Sequence, residues 1–139
     1  MKWLTRRFEG HREVAGDRAA TGRRGEKAAA AYLKSQGYTI VERNLTLPGG
    51  EIDLIARDND TLVIVEVKAL ADPGDGFDPI IRVNKDKRER LVRLADAYCR
   101  ARRLTDTPVR FDVVGVVFQG KDTVVRHFPR AFDAQGRRL

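Results

Sequence analysis

The alternation of apolar and polar residues is clearest between Gly50 and Lys68, where it predicts two short strands. The segment reads GEIDLIARDNDTLVIVEVK, and a typical turn sequence, Asp-Asn-Asp, separates its two apolar runs. Strands joined by so short a turn must pair antiparallel. The pattern therefore predicts a β-hairpin whose strands cover 51–57 and 62–68.

The rest of the chain supplies two predicted helices and three further strands. The first helix is Ala-rich, runs from about Gly22 to Gln36 and ends before a capping glycine. The second helix has an apolar stripe at helical spacing, begins after Asn84 and ends near Arg103. The other strands are predicted at 38–45, 109–118 and 123–128, and the loop at 71–79 is a candidate flexible flap.

The order of these elements, αβββαββ, predicts an α/β fold with a mixed β-sheet flanked by helices. Short turns impose antiparallel pairing, whereas a helical crossover allows the fourth strand to lie parallel to a neighbour. At 139 residues the chain is long enough for one domain with its own core, which we assign to residues 22–130. We interpret 1–21 as a basic flexible arm or frayed helix, and 131–139 as a tail without a clear pattern.

The composition indicates a globular protein without a membrane partner. Apolar residues make up 42% of the chain and charged residues 34%, and the mean hydropathy is −0.45. No apolar run is long enough to span a membrane, and no secretory signal is visible. Cys99 has no second cysteine with which to pair, so a reducing, cytoplasmic location is expected.

The charge balance is basic, with 27 Lys and Arg against 20 Asp and Glu. Such a field attracts polyanions, of which nucleic acid is the commonest. An Arg-rich surface without a specific partner is the alternative, and the charge balance alone leaves both interpretations open.

Charged residues inside the predicted hairpin are the main functional clue. Side chains alternate along a strand, so Glu51 and Asp53 share one face, as do Glu66 and Lys68. Antiparallel pairing can place all four on one face of the sheet, with an apolar set on the other: Ile52, Leu54, Val63, Val65 and Val67. Because clustered carboxylates repel one another and raise each other's pKa, a divalent metal site is the simplest reason for the arrangement.

Four residues outside the hairpin are further candidates. Glu26 lies on the helix face that packs on the sheet, and by itself it fits a first-turn Glu that stabilises its own helix better than a ligand. Asp112 lies in an apolar strand, either as an outer-shell group of the site or, as we favour, paired with Arg110. Lys87 and Arg88 fall toward the apolar side of the second helix, where they could meet a phosphate.

The same helix start includes Lys85, and for each of these basic residues a solvated surface position is the alternative. His11 and His127 have no partners at the spacing of metal ligands, so a zinc site built on histidine is not expected.

These motifs together resemble the PD-(D/E)xK nuclease superfamily, which has the restriction-endonuclease-like fold. More closely, the chain resembles the YraN-like family of small bacterial proteins, which is related to archaeal Holliday junction resolvases. The resemblance covers roughly residues 22–118. The residues that carry it are Gly25-Glu26 with Ala29, Tyr32 and Leu33; Gly37-Tyr38; Asn44; Gly50-Glu51-Ile52-Asp53-Leu54-Ile55; Val65-Glu66-Val67-Lys68; and Arg110-Phe111-Asp112-Val113.

The resemblance implies a role for each motif residue. Asp53 and Glu66 would bind Mg²⁺ or Mn²⁺, helped by the backbone carbonyl of Val67. Lys68 would hold the attacking water or stabilise charge on the phosphorus. Glu26 would orient a metal-bound water or help bind a second ion.

Three further positions qualify this picture. Glu51 would be either an outer-shell group or an exposed strand residue. Ile64 stands where the family usually has Phe, and Leu70 stands where it usually has Arg, two residues after the motif Lys. If that Arg contacts phosphate in relatives, this chain lacks one substrate contact.

Two functions follow as expectations. The first is a metal-dependent nuclease that hydrolyses phosphodiesters in DNA, preferred over RNA, with branched or repair intermediates suggested by analogy to resolvases. The second is a nucleic-acid-binding module of the same fold with little or no catalysis. Cutting both strands of a junction would require two active sites, so a homodimer is among the expectations.

Overall fold

The computed structural model describes residues 3–7, 18–71, 78–80 and 82–139, the first of these ranges and Arg18 by their backbone alone. The central part of the predicted flap, 72–77, therefore lies outside the described residues. The strands and helices are β1 Trp3–Arg7, α1 Arg18–Ser35, β2 Thr39–Leu47, β3 Gly50–Asp58, β4 Thr61–Leu70, α2 Lys85–Ala101, β5 Val109–Gln119 and β6 Asp122–Phe132.

The strands form one mixed sheet in the order β1-β6-β5-β4-β3-β2. Only β4 and β5, which α2 connects, are parallel among the described pairs. A parallel neighbour needs a long crossover, and α2 with its flanking loops supplies it. The predicted α/β class and the order αβββαββ are confirmed, with one additional strand in front.

That additional strand replaces part of the predicted N-terminal arm, of which residues 8–17 lie outside the described residues. Residues Trp3–Arg7 pair antiparallel with β6, from Trp3 opposite Arg126 to Arg7 opposite Asp122. The helix α1 begins at Arg18, earlier than the predicted start at Gly22. A five-residue edge strand rich in Arg has too little alternation to be visible as a sequence pattern.

The C-terminal strand also runs further than predicted, through Pro129 to Phe132. The register against β5 shifts between Phe111 and Val113, opposite this part of β6. Such a bulge leaves positions outside the regular ladder, which is where a strand tolerates a proline that cannot donate a hydrogen bond.

Each face of the sheet buries an apolar layer under one helix. On one face α1 packs through Ala29, Ala30 and Leu33 on Val63, Val65 and Val114. On the other α2 packs through Leu91, Leu94 and Tyr98 on Ile55, Ile64 and Phe111. Gly25 lets α1 approach β4 closely, because a Cβ there would collide with the Cβ of Ala69.

Candidate functional site

The site begins where β3 separates from β4. Backbone pairing between these strands ends with Leu54 opposite Val65. Beyond that point the side chain of Asp53 replaces the backbone as the partner of β4: its Oδ2 accepts a hydrogen bond of 2.9 Å from the backbone N–H of Val67. Asp53 is thus held in the opening between two strands rather than on a continuous sheet face.

The same separation corrects the prediction for Ile52. Strict alternation predicted that Ile52 shares a face with Leu54. Instead Ile52 belongs to the layer beneath α2, with Ile55, whereas Leu54 belongs to the layer beneath α1. The change of face coincides with the point where β3 leaves its ladder with β4, while its pairing with β2 continues.

Glu66 is the most unusual residue of the site. Its side chain is nearly fully buried, and its Oε2 has no hydrogen-bond partner among the described residues. The Nζ atoms of Lys68 and Lys87 each lie 3.7 Å from its Oε1, which is too far for a hydrogen bond. Burial first, and then the charge of Asp53, raise the pKa of Glu66 to about 7 although both ammonium groups act to lower it.

Glu26 on α1 approaches Asp53 on β3. Burial and the charge of Asp53 raise the pKa of Glu26 to about 7, while a hydrogen bond with the side chain of Asn44 acts against this rise. Because α1 begins at Arg18, Glu26 lies in the helix interior, so the favoured interpretation as a first-turn residue is wrong. Its side chain is directed at the carboxylate group of the site.

The oxygen donors fit a hard divalent cation. Asp53 and Glu66 interact directly, and one oxygen of Glu66 has no partner within the described ranges. Nowhere in the described ranges do three His, Cys, Asp or Glu side chains form a group ready to hold an ion. Mg²⁺ normally takes only one or two protein carboxylates and completes its shell with water and substrate oxygens, so two carboxylates suffice. Coordination by the carbonyl of Val67 stays a prediction.

The basic residues at the start of α2 divide into three roles. Lys87, 29% exposed at its side chain, reaches the site beside Glu66. Lys85 is 77% exposed and pairs with Glu89 one turn later on α2. Arg88 donates to the carbonyls of Gly136 and Val83, each at 2.7 Å, and so holds the C-terminal turn instead of facing the site.

Asp112 belongs to a separate buried network. Its carboxylate accepts two hydrogen bonds from Arg110 at 2.9 and 3.1 Å, one from the backbone N–H of Arg130, and lies 2.7 Å from Nε2 of His127. Burial would raise the pKa of Asp112, but the bonds from His127, Arg110 and Arg130 outweigh burial and lower it. The favoured pairing with Arg110 is confirmed.

The other outer-shell candidate, Glu51, is exposed, and its charge contributes to the raised pKa of Glu26. The sequence did not predict the roles of Asn44 and His127. Asn44, in a left-handed conformation with φ of 48°, contacts Glu26, and His127 contacts Asp112. An Asn can adopt positive φ at low cost, but no pattern in one sequence marks such a residue.

Within the described residues, neither helix combines the length and apolar character needed to cross a membrane.

Comparison with known proteins gives the family. A model of the "Uncharacterised protein family UPF0102" matches residues 25–116, which include Glu26, Asp53, Glu66 and Lys68. A UPF0102 protein of Syntrophotalea carbinolica is 41% identical over 119 residues, 86% of this chain and 96% of its own. One of Desulfosudis oleivorans is 44% identical over 121 residues, covering 87% and 96% respectively. One of an Arthrobacter species is 48% identical over 99 residues, covering 71% and 83%. The chain therefore belongs to the UPF0102 family, the YraN-like family that its motifs resemble.

Proposed function

We propose that this protein is a metal-dependent nuclease of the PD-(D/E)xK superfamily that hydrolyses phosphodiesters in DNA. One observation supports this above the others: Glu66 is buried, lies against a second carboxylate and keeps an oxygen that no described residue hydrogen-bonds. An unpaired buried carboxylate lowers stability unless something binds it. A divalent cation shared with Asp53 would satisfy that oxygen and offset the repulsion.

In this mechanism Asp53 and Glu66 would hold Mg²⁺ or Mn²⁺, with the carbonyl of Val67 as a further ligand. When bound, the ion polarises a phosphoryl oxygen and offsets charge that develops on the phosphorus. Lys68, 31% exposed at its side chain, remains open to substrate and donates hydrogen bonds to the phosphoryl oxygens as negative charge builds. Glu26 orients the attacking water, whose oxygen bonds to phosphorus as the leaving oxygen departs.

The substrate and setting are part of the same proposal. The net charge of +7 favours a polyanion, and we propose DNA, with branched or repair intermediates ahead of linear duplex and with RNA as the competing substrate. A cytoplasmic homodimer would allow two strands of one junction to be cut.

A nucleic-acid-binding module without catalysis is the second candidate. It is favoured by Lys68 and Lys87, since two ammonium groups beside Glu66 compensate part of its charge without a metal. It also agrees with Leu70 in the place of the usual Arg. However, the pKa of Glu66 stays near 7 in spite of both ammonium groups, so their compensation is incomplete.

Cleavage of labelled linear, flapped, single-stranded and four-way-junction DNA, with Mg²⁺, Mn²⁺ or EDTA, tests the proposal. Matched RNA substrates test the preference for DNA. We expect metal-dependent products from the wild type and at least a ~10²-fold loss in Asp53→Ala and Lys68→Ala. The control is Lys85→Ala, which removes an equal charge from an exposed position and should cut like the wild type.

The nuclease proposal is wrong if the wild type binds DNA but cuts none of these substrates, and if Asp53→Ala binds Mn²⁺ no more weakly than the wild type. The binding module would then be the function.

A further inference from the structure

We propose that a basic cleft next to the carboxylates binds the sugar–phosphate backbone of the substrate strand beside the phosphodiester that is cut. This inference rests on the proposed nuclease function and extends it to the way in which substrate is held. The cleft has a volume of about 260 Å³. Its lining residues are Arg23, Glu26, Lys27, Arg43, Asn44 and Leu54.

Three basic side chains converge on the cleft from two elements. Arg23 and Lys27 lie four residues apart on α1, so they project from one helix face about 6 Å apart along the axis. Arg43 comes from β2, one of the two edge strands of the sheet. All three are exposed, and none forms an ion pair with a residue in the described ranges. Their charge is therefore available to an anion.

The cleft is continuous with the site through Glu26. This residue lines the cleft and its carboxylate interacts with that of Asp53, while Asn44 lines the cleft and its side chain interacts with Glu26. A phosphate in the cleft is therefore a near neighbour of one bound at the ion site that Asp53 and Glu66 would form. The strand that carries the reacting phosphodiester would continue along the α1 side toward Arg43.

The size and chemistry of the cleft fit a backbone segment. Its volume of about 260 Å³ is several times the share of ~30 Å³ that one water occupies in the liquid, so a phosphate with part of its sugar fits. The guanidinium groups of Arg23 and Arg43 present forked donors that match phosphate oxygens, and Lys27 adds a point charge. Contacts of this kind carry no base specificity.

The test compares two triple variants that remove the same charge. The cleft variant is Arg23→Gln/Lys27→Gln/Arg43→Gln. The control variant is Arg93→Gln/Arg100→Gln/Lys121→Gln, whose three residues are exposed on α2 and on the turn between β5 and β6. Thermal unfolding of both establishes that they fold. Binding of labelled DNA is then measured with EDTA between about 50 and about 200 mM salt, the range over which phosphate contacts dominate the salt dependence.

We expect the cleft variant to bind DNA at least about tenfold more weakly than the wild type. The negative slope of the log association constant against log salt should become shallower by about 2. The control variant should keep the slope of the wild type. Equal losses in the two variants, or no loss in the cleft variant, would overturn the assignment. So would saturable binding of inorganic phosphate to the cleft in a protein that does not bind DNA.

The two proposals fail separately. If the wild type cuts DNA and the cleft variant binds and cuts equally well, the cleft assignment is wrong and the nuclease stands. If the wild type cuts nothing while the cleft variant alone loses binding, the nuclease is wrong and the cleft is the binding surface of a non-catalytic module.

Discussion

Two buried carboxylates in neighbouring strands of this sheet have opposite surroundings. Asp112 on β5 lies opposite Val65, and Glu66 on β4 lies opposite Val113, so they are one register position apart on different faces. Both are almost fully buried, at 0% and 3% exposed. Asp112 accepts hydrogen bonds from two side chains and one backbone N–H, whereas Glu66 keeps a buried oxygen without a partner in the described part of the chain. Their pKa values move in opposite directions.

The comparison shows that burial does not decide what a carboxylate does in this protein. A buried carboxylate with all its partners in place organises the strands around it. A buried carboxylate that is left short of partners lowers stability, and it is therefore a candidate for ligand binding. Four substitutions test this distinction, and their effects on the free energy of unfolding should decrease in the order Asp112, Glu66, His127 and Lys87.

Asp112→Ala should give the largest loss of stability. The substitution leaves Arg110 and His127 in place without the carboxylate between them, and the free energy of unfolding should fall by about 3–5 kcal/mol. Urea unfolding at neutral pH measures the loss. A fall of less than about 1 kcal/mol would mean that Asp112 is no more structural than an ordinary surface acid.

Glu66→Gln, in contrast, should increase the free energy of unfolding when the protein is kept free of metal by a chelator. The folded state holds a proton on Glu66 up to about pH 7, whereas the unfolded chain releases it near pH 4.5. The stability of the wild type therefore falls as the pH rises between these values and then levels off. The variant lacks this fall at Glu66 and should be more stable above pH 7, on the order of 2–3 kcal/mol.

Chemical unfolding over a pH series gives the comparison for Glu66, and the difference should vanish below about pH 4.5. The idea fails if Glu66→Gln is less stable than the wild type at every pH.

His127→Leu should weaken the Asp112 network by about 1–2 kcal/mol, because one hydrogen bond to a buried charge is lost. The lowered pKa of Asp112 gives stability that is present at neutral pH and lost as the pH falls through the folded pKa. Without His127 the pKa is lowered less, so the difference from the wild type should be largest near neutral pH and narrow in acid. Tyr32→Phe tests the other ring nitrogen, since it removes the 3.4 Å contact between the Tyr32 hydroxyl and Nδ1 of His127.

Lys87→Met should have the smallest effect, below about 1 kcal/mol. Removing this ammonium raises the pKa of Glu66 further, so the loss of stability of metal-free protein with rising pH should extend to higher pH. Lys85→Met, at an exposed pair two residues earlier on α2, should leave the pH dependence unchanged. If stability depends on pH in the same way in both variants, Lys87 does not interact with Glu66.

The hairpin shows how far pattern reasoning reaches. Alternation of apolar residues is strong in β3 and β4, so both strands and their turn were predicted within one or two residues. Alternation was misleading at Ile52, because the prediction assumed a ladder that continues past Leu54. The carboxylate of Asp53 replaces that ladder, and a pattern of residue types does not show where two strands separate.

The candidate site, too, was predicted from the sequence only in part. Asp53, Glu66 and Lys68 were identified from charges placed inside apolar strands, a local anomaly that one sequence displays. Lys87 was a candidate among three basic residues, and only packing separates it from Lys85, which is exposed, and from Arg88, which holds backbone carbonyls.

Sequence patterns alone were enough to predict the order of the elements from α1 to β6 and the strands that carry charge. These properties depend on residues close together in the chain, through periodicity and turn preference. The tertiary structure alone decided which charges meet: Glu26 with Asp53, Lys87 with Glu66, and His127 with Asp112. Such contacts depend on register, on bulges and on how closely a helix approaches a strand, and small changes in these move a side chain to another neighbour.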